Sequence, residues 1–265
     1  MAGTASFVRG ENKLAAFNRA FYDGLWSDAR LIAPQRFNTW PLVTELVAGA
    51  GACLEVAPGL RPRLPLEDTQ FLDISVAAMA RLHARGARAA VGLVSAMPFA
   101  ASAFDFVCAF DIVEHVEDDA AALAELARVT APGAPFLLSV PLHESAWTPF
   151  DDFVGHRRRY EPRNLEAKLA RYGFRVERSA VYGMQPKSSR VLDWGMWCLT
   201  HQRERAMWWY NHVFMPIGLR LQKPLKFTDG LIDRGDVDTV LIVCRKDAYK
   251  DETASDPQGT VAQVV

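Results

Sequence analysis

A surplus of charge is the first thing this 265-residue sequence lacks: 30 Lys and Arg stand against 31 Asp and Glu, a formal net charge of -1. Without a basic excess there is little to neutralise a polyphosphate backbone, and nucleic acid is not expected as a partner. Cysteine is scarce too. Cys53, Cys108, Cys198 and Cys244 sit far apart in apolar runs with no CxxC pair. That excludes a disulfide framework or a zinc ribbon and points to buried thiols in a reducing compartment. No run approaches the ~20 apolar residues that cross a bilayer, so no integral membrane association is expected. The opening MAGTASFVRGENKL has no charged segment leading into an apolar one; no signal peptide is expected, and the cytoplasm is the default location. No pattern specifies an oligomeric state.

Half of the residues are hydrophobic and 23% are charged, an ordinary soluble composition. The length suits one domain with an insertion, over residues 1–250. Within it we expect an N-terminal helical cap over 10–48 and a helical lid over about 183–236. The polar, aperiodic stretch 251–265 is expected to be a disordered tail.

From Ala52 onward, strand–turn–helix units alternate. Cys53–Val56, Gln70–Asp73, Ala89–Leu93, Phe104–Phe110, Phe136–Val140, Phe174–Ala180 and Val237–Cys244 read as seven strands. Helices are expected at Val76–Arg85, Asp118–Val129 and Leu165–Tyr172. The run Phe104–Phe110 is nearly all apolar, as a central parallel strand covered on both faces should be. The pattern predicts an α/β, Rossmann-like, doubly wound and mostly parallel seven-stranded sheet, with helices on both faces and a helical insertion before the last strand. That insertion holds Trp194, Trp197, Trp208 and Trp209, four of the seven tryptophans.

Ligands of such sheets bind beyond the carboxyl ends of the central strands. The first strand ends at Glu55, before the tight turn Ala57-Pro58-Gly59, and the second ends at Asp73-Ile74-Ser75. An acid at the second position suits the two hydroxyls of a ribose. A phosphate at the first turn would want bare amides and no carboxylate; Glu55 beside it suits a ligand with an amino group. A nicotinamide dehydrogenase would need GxGxxG here, and Ala57-Pro58-Gly59-Leu60-Arg61-Pro62 does not supply it.

In order and spacing, Leu54-Glu55-Val56-Ala57-Pro58-Gly59, Leu72-Asp73-Ile74-Ser75, Met97-Pro98-Phe99 with Phe104-Asp105-Phe106-Val107, and Val113-Glu114-His115-Val116 resemble the class I S-adenosylmethionine (SAM)-dependent methyltransferases. Arg128–Gly133 and Tyr172-Gly173-Phe174 extend the resemblance. It implies SAM as cofactor, with S-adenosylhomocysteine as product, and a small-molecule acceptor. It places Glu55 at the methionine amino end, Ala57, Pro58 and Gly59 at the cofactor turn, Asp73 at the ribose and Ile74 beside the adenine. Val94 would offer its amide to the adenine, and Phe110 and Asp111 would flank the methionine part. Ala57 and Arg61 stand where the family usually has glycine, and Leu93 where it often has a carboxylate. Pro62 and Pro65 predict an irregular path in place of the helix after the first strand.

Removing an acceptor's proton calls for a base, and three histidines follow strands at the functional edge: His156 first, then His143 and His115. Arg158 and Tyr160, in the loop with His156, would suit a carboxylate or phosphate on the acceptor. Trp26, Trp194 and Trp197 would suit an aromatic or apolar acceptor. Asp111, Glu114 and His115 offer oxygen and imidazole to a divalent ion, similar to a segment of ubiquinone-pathway O-methyltransferases; even so, no metal is expected. The function expected is methylation of a small molecule, on oxygen first, in secondary metabolism. The alternative is a catalytically silent SAM-binding or scaffold subunit.

Overall fold

The computed structural model describes residues 13–183 and 189–248. The expected tail, and the first residues of the expected cap, lie outside them. Eight strands make one sheet: β1 (Cys53–Val56), β2 (Thr69–Asp73), β3 (Arg88–Val91), β4 (Phe106–Phe110), β5 (Pro135–Pro141), β6 (Phe174–Tyr182), β7 (Phe227–Asp229) and β8 (Thr239–Lys246). The order is β3-β2-β1-β4-β5-β8-β6-β7. Neighbours among β1 to β5 are parallel, β8 runs antiparallel to β5 and β6, and β7 antiparallel to β6. Seven strands were expected. The eighth is the three-residue β7 from the end of the insertion, whose Phe227-Thr228-Asp229 is too short to show a period of two.

The helices are α1 (Lys13–Asp28), α2 (Trp40–Val47), α3 (Val76–His83), α4 (Asp119–Val129), α5 (Pro149–Val154), α6 (Pro162–Arg171), α7 (Ser189–His201), α8 (Arg203–Trp209) and α9 (Met215–Leu221). Local chemistry sets their ends. The Ser75 hydroxyl accepts from the Ala78 amide to open α3, and the Asp118 carboxylate accepts from the Ala121 amide to open α4. Proline starts α6, and Gly173, at φ +73°, lets the chain leave it.

Strand β4 is buried at every position. Val107 and Ala109 face a core with Leu123 and Leu126 of α4 and Leu165 and Leu169 of α6. Phe106, Cys108 and Phe110 face the opposite layer, with Leu42 and Val43 of α2. Farther along that layer, Trp26 of α1 packs with Phe71 and with Met79 and Leu82 of α3. Helices thus cover both faces, as a buried parallel sheet requires.

The chain runs out along β1, β2 and β3, then returns to β4 beside β1. The order therefore reverses between β1 and β4, and the carboxyl edge there is where this class of sheet binds ligands. Three non-glycine residues with positive φ sit just beyond strand ends on that edge: Ala57 (57°), Asp111 (48°) and His143 (61°). Each costs about 1–2 kcal/mol of left-handed strain, of the kind that clusters at functional sites.

Phe136 and Phe174 stack with ring centroids 4.5 Å apart, tying β5 to β6 across the intervening strand β8. Phe136→Ala is expected to lower the unfolding free energy by about 3–5 kcal/mol, measured by denaturant titration.

Candidate active site

No helix follows β1. The chain from Ala57 to Asp68 is irregular, as Pro62 and Pro65 predict. Its amides still need partners, and Glu55 supplies them. That carboxylate is buried; one oxygen accepts from the Arg63 amide and the other from the Arg63 and Leu64 amides, each at 2.9 Å. Asp73, buried at the end of β2, accepts from the amides of Gly59 at 2.9 Å and Ser75 at 2.8 Å. The two acids thus hold the turn from both sides.

Burial disfavours both charges against the stabilising pull of those amides, and pushes the Glu55 carboxyl up to about 7 and the Asp73 carboxyl up to about 6.

Gly59, at φ +53°, meets the face of Trp26 so closely that an added Cβ would lie 2.2 Å from a ring carbon. Arg61 lies between two aromatic rings, 5.3 Å from the Trp26 centroid and 5.1 Å from that of Tyr210. Its Nε is buried with no hydrogen-bond partner among the described residues. Arg63 crosses the Phe37 ring at 3.6 Å and donates to the Tyr182 hydroxyl at 3.0 Å. The sequence reading gave neither arginine a role.

The other residues assigned to the cofactor lie around this turn. Pro58 is buried and accepts from the Arg61 amide, while Ile74 is half-buried. Val94 is buried in the core with Leu54 and Leu72. Phe110 closes β4 against Tyr182, with centroids 5.8 Å apart. Asp111 is exposed and held by Ser139, whose hydroxyl donates to it at 2.7 Å.

A second cluster forms where Val113–His115 meets the loop after α5. The His156 Nδ1 lies 2.7 Å from Asp151, and its Nε2 lies 3.9 Å from Glu114. The His115 ring stands edge-on to His156, with centroids 4.6 Å apart. The Tyr22 hydroxyl lies 3.4 Å from the His115 Nε2, and Tyr22 stacks along Trp26, linking this cluster to the turn at Gly59.

Asp151 is the residue that sequence reasoning missed. It is wholly buried and receives the Thr148 amide and hydroxyl and both sides of the Arg159 guanidinium. Burial would raise its carboxyl, but the hydrogen bonds from His156, Arg159 and Thr148 hold it well below the usual range. Thr148 followed three residues later by an acid is a capping-box signature, and it was legible.

His115 is lowered too, to about 3, by burial and by His156, so it is neutral near pH 7. Burial, then the charge of Asp111, raise the Glu114 carboxyl well above its usual range, and both its oxygens lack a hydrogen-bond partner.

Glu114, His115 and His156 bring ligand atoms within 4.8 Å of one another. The set expected from sequence was Asp111, Glu114 and His115. Asp111 is turned onto Ser139, and His156 stands in its place.

The remaining candidates lie apart from this cluster. His143 contacts the Arg234 carbonyl at 2.8 Å and faces Glu161 at 3.6 Å. Arg158 and Tyr160 both engage Asp119, at 2.9 Å each; that geometry anchors α4 instead of facing a ligand. Trp194 and Trp197 are about half exposed on α7.

A mostly parallel sheet in this order, with helices on both faces, is the Rossmann-like fold found in methyltransferases. Residues 47–138 match the family model described as a methyltransferase domain. A protein described as a probable S-adenosylmethionine-dependent methyltransferase of Mycolicibacterium smegmatis is 32% identical over 112 residues, 40% of this chain and 43% of that protein. The matched region thus spans less than half of that relative. Among solved structures, a SAM-dependent methyltransferase of Thermotoga maritima, described as a possible histamine N-methyltransferase, superposes with a TM-score of 0.54 at 15% identity, over 88% of this chain and 98% of that one. The [4+2]-cyclase SpnF gives a TM-score of 0.51 at 17% identity, over 79% and 80% of the two chains. At such identities these likenesses show the fold alone.

Between about pH 4.5 and 7, folded Glu55 holds a proton that the unfolded chain has released. Folding therefore takes up protons there, and the Glu55 contribution makes the protein less stable as pH rises. Glu55→Gln keeps an acceptor oxygen but cannot ionise. Its unfolding free energy should lose less between about pH 5 and pH 8 than that of the wild type, by on the order of 1–3 kcal/mol in denaturant titrations.

Proposed function

We propose that the chain transfers a methyl group from SAM to a small molecule, with an oxygen as acceptor atom. The observation that carries this reading is His156, whose Nδ1 is fixed by the low-lying carboxylate of Asp151 beside the covered cofactor turn. SAM, when bound, supplies an electrophilic methyl group on a sulfonium.

The residues present fit that molecule. Asp73 offers carboxylate oxygens at the end of β2 for ribose hydroxyls. The unpartnered Nε of Arg61 is a buried cationic donor for a carboxylate, and it would hold the methionine end from the place where the family has glycine. The faces of Trp26 and Tyr210 flank it.

Displacement at a methyl group needs alignment and exclusion of water more than covalent help. The chain's own contribution would be a proton path. Asp151 takes the Nδ1–H of His156, which fixes the tautomer and leaves Nε2 basic to accept the acceptor's hydroxyl proton. His115 stays uncharged around it near pH 7, and burial disfavours the charge of Glu114 beside it. Secondary metabolism is the setting we favour, because the aromatic insertion suits varied apolar acceptors.

One observation favours a second reading of the same residues: the close approach of Glu114, His115 and His156 would also suit a divalent ion. A catalytically silent SAM-binding subunit is the remaining alternative, supported by Ala57 and Arg61 at glycine places.

Calorimetric titration separates these readings. SAM and S-adenosylhomocysteine should bind and NAD should not, and Asp73→Ala should weaken SAM by at least ~1 kcal/mol. Unchanged affinity would remove Asp73 from the ribose. SAM binding without turnover on any acceptor would favour the silent subunit.

His156→Asn should cut turnover by about 10²–10⁴-fold while SAM affinity holds. Activity should survive a chelator; activity lost to it and restored by a divalent ion would reassign the three residues to a metal.

A further inference from the structure

The insertion puts its aromatic side chains on the outside. Trp194, Trp197, Trp208 and Trp209 are 53, 49, 53 and 43% exposed, Phe214 is 48% exposed and Leu221 73%. A protein that folds to hide apolar area does not leave four indoles of one insertion in water without a use for them.

These side chains are organised. Trp197 stacks on His201 at 5.0 Å and Trp208 on His212 at 4.7 Å. Between α8 and α9, the π-helical turn Tyr210–Phe214 adds a residue to the helical repeat and sets Phe214 beside Trp209, with centroids 6.4 Å apart.

Charge is organised as well. Residues 189–226 hold six Lys and Arg against two Asp and Glu, a net of +4, so the rest of a chain at -1 carries -5. Arg203 is engaged with Asp28 at 3.2 Å, while Arg205, Arg220, Lys223 and Lys226 are exposed. An anionic surface would therefore attract the insertion and repel the body, and the molecule would land insertion first.

Indole rings prefer the headgroup level of a bilayer, where one edge is apolar and the N–H meets water, and Lys and Arg suit the phosphates there. No helix among the described residues is long and apolar enough to cross a membrane, so the contact would be superficial.

We propose that the insertion is a docking surface for an anionic lipid bilayer, with its tryptophans at headgroup level and its exposed cations on lipid phosphates. The proposal does not rest on the methyl-transfer reading.

The test is co-sedimentation of the full chain with vesicles of phosphatidylcholine alone and of phosphatidylcholine with about 30% phosphatidylglycerol, with tryptophan emission read in parallel. The anionic vesicles should retain the protein with a blue shift, and ~0.5 M salt should release most of it. A Trp208→Ala/Trp209→Ala variant and an Arg205→Gln/Arg220→Gln variant, each with wild-type thermal unfolding, should partition at least ~10-fold more weakly. Equal retention on both vesicle types, retention on neither, or wild-type partitioning of both variants would overturn the proposal. A self-associated species in sedimentation velocity that the tryptophan variant dissociates would overturn it too, by making this face a contact between copies.

Discussion

Two oxygens of one buried carboxylate organise the site edge. Strand β1, which carries Glu55, has no helix after it, because Pro62 and Pro65 interrupt the segment where one would form, and a helix-less segment packed on the sheet leaves amides to satisfy. Glu55 takes those of Arg63 and Leu64. With that bond made, Leu60 and Leu64 reach the core, Arg63 crosses Phe37, and Arg61 is delivered between Trp26 and Tyr210. Removing the carboxylate would unfasten all of these together. The same oxygens are costly to hold as anions there, which is why the acid that anchors the turn is also one whose proton is shared with pH near neutrality.

The second cluster follows the opposite electrostatic logic. Asp151 is as buried as Glu55, but a guanidinium, a hydroxyl, an amide and an imidazole all donate to it, so its charge is stabilised. Arg159 is in turn fixed by Asp238 at 2.7 Å and by the Leu142 carbonyl, which ties this carboxylate to the ends of β5 and β8. The His156 ring thus inherits its position from the sheet, although it lies in a loop. Burial dominates at Glu55, while at Asp151 the hydrogen bonds from His156, Arg159 and Thr148 outweigh it, so the two acids are pushed in opposite directions. Such divergence is what sets apart groups that must keep a proton from groups that must orient one.

Much of this was legible in the sequence. Continuous apolar runs located the central strands, and the stop at Ala131-Pro132-Gly133 located the end of α4 to within a residue or two. The acids at Glu55 and Asp73 could be read because strand ends are marked by the turns that follow them. The partners of those acids could not. That Asp73 bonds the Gly59 amide, or that Trp26 covers that glycine, depends on how α1 lies over the sheet, and a helical period fixes a buried face but not what it lands on. Which of the three candidate histidines lie together could not be read for a similar reason. His115, His143 and His156 share one edge in topology, yet His143 is drawn toward Arg234 by the insertion, whose path no local pattern encodes. The exposure of the insertion's tryptophans could not be read either, since an aromatic helix looks the same in sequence whether its rings turn inward or out.

The turn after β1 explains how the chain can depart from its family's glycines and keep the fold. Glycine is needed there for two separable reasons: positive φ, and room for something to lie against the backbone. Ala57 meets the first demand at φ 57°, accepting strain of about 1–2 kcal/mol. Gly59 keeps the second, and Trp26 lies against it. Arg61 is under neither demand, because with no helix following, its side chain need not pack against the sheet. It is free to enter the cleft, where its charge balances the acids around it and its buried Nε is left without a partner. An unpartnered cationic donor between two aromatic faces is costly unless something anionic meets it. Under the proposed function, the arginine that breaks the glycine pattern would supply a recognition group that the pattern does not contain.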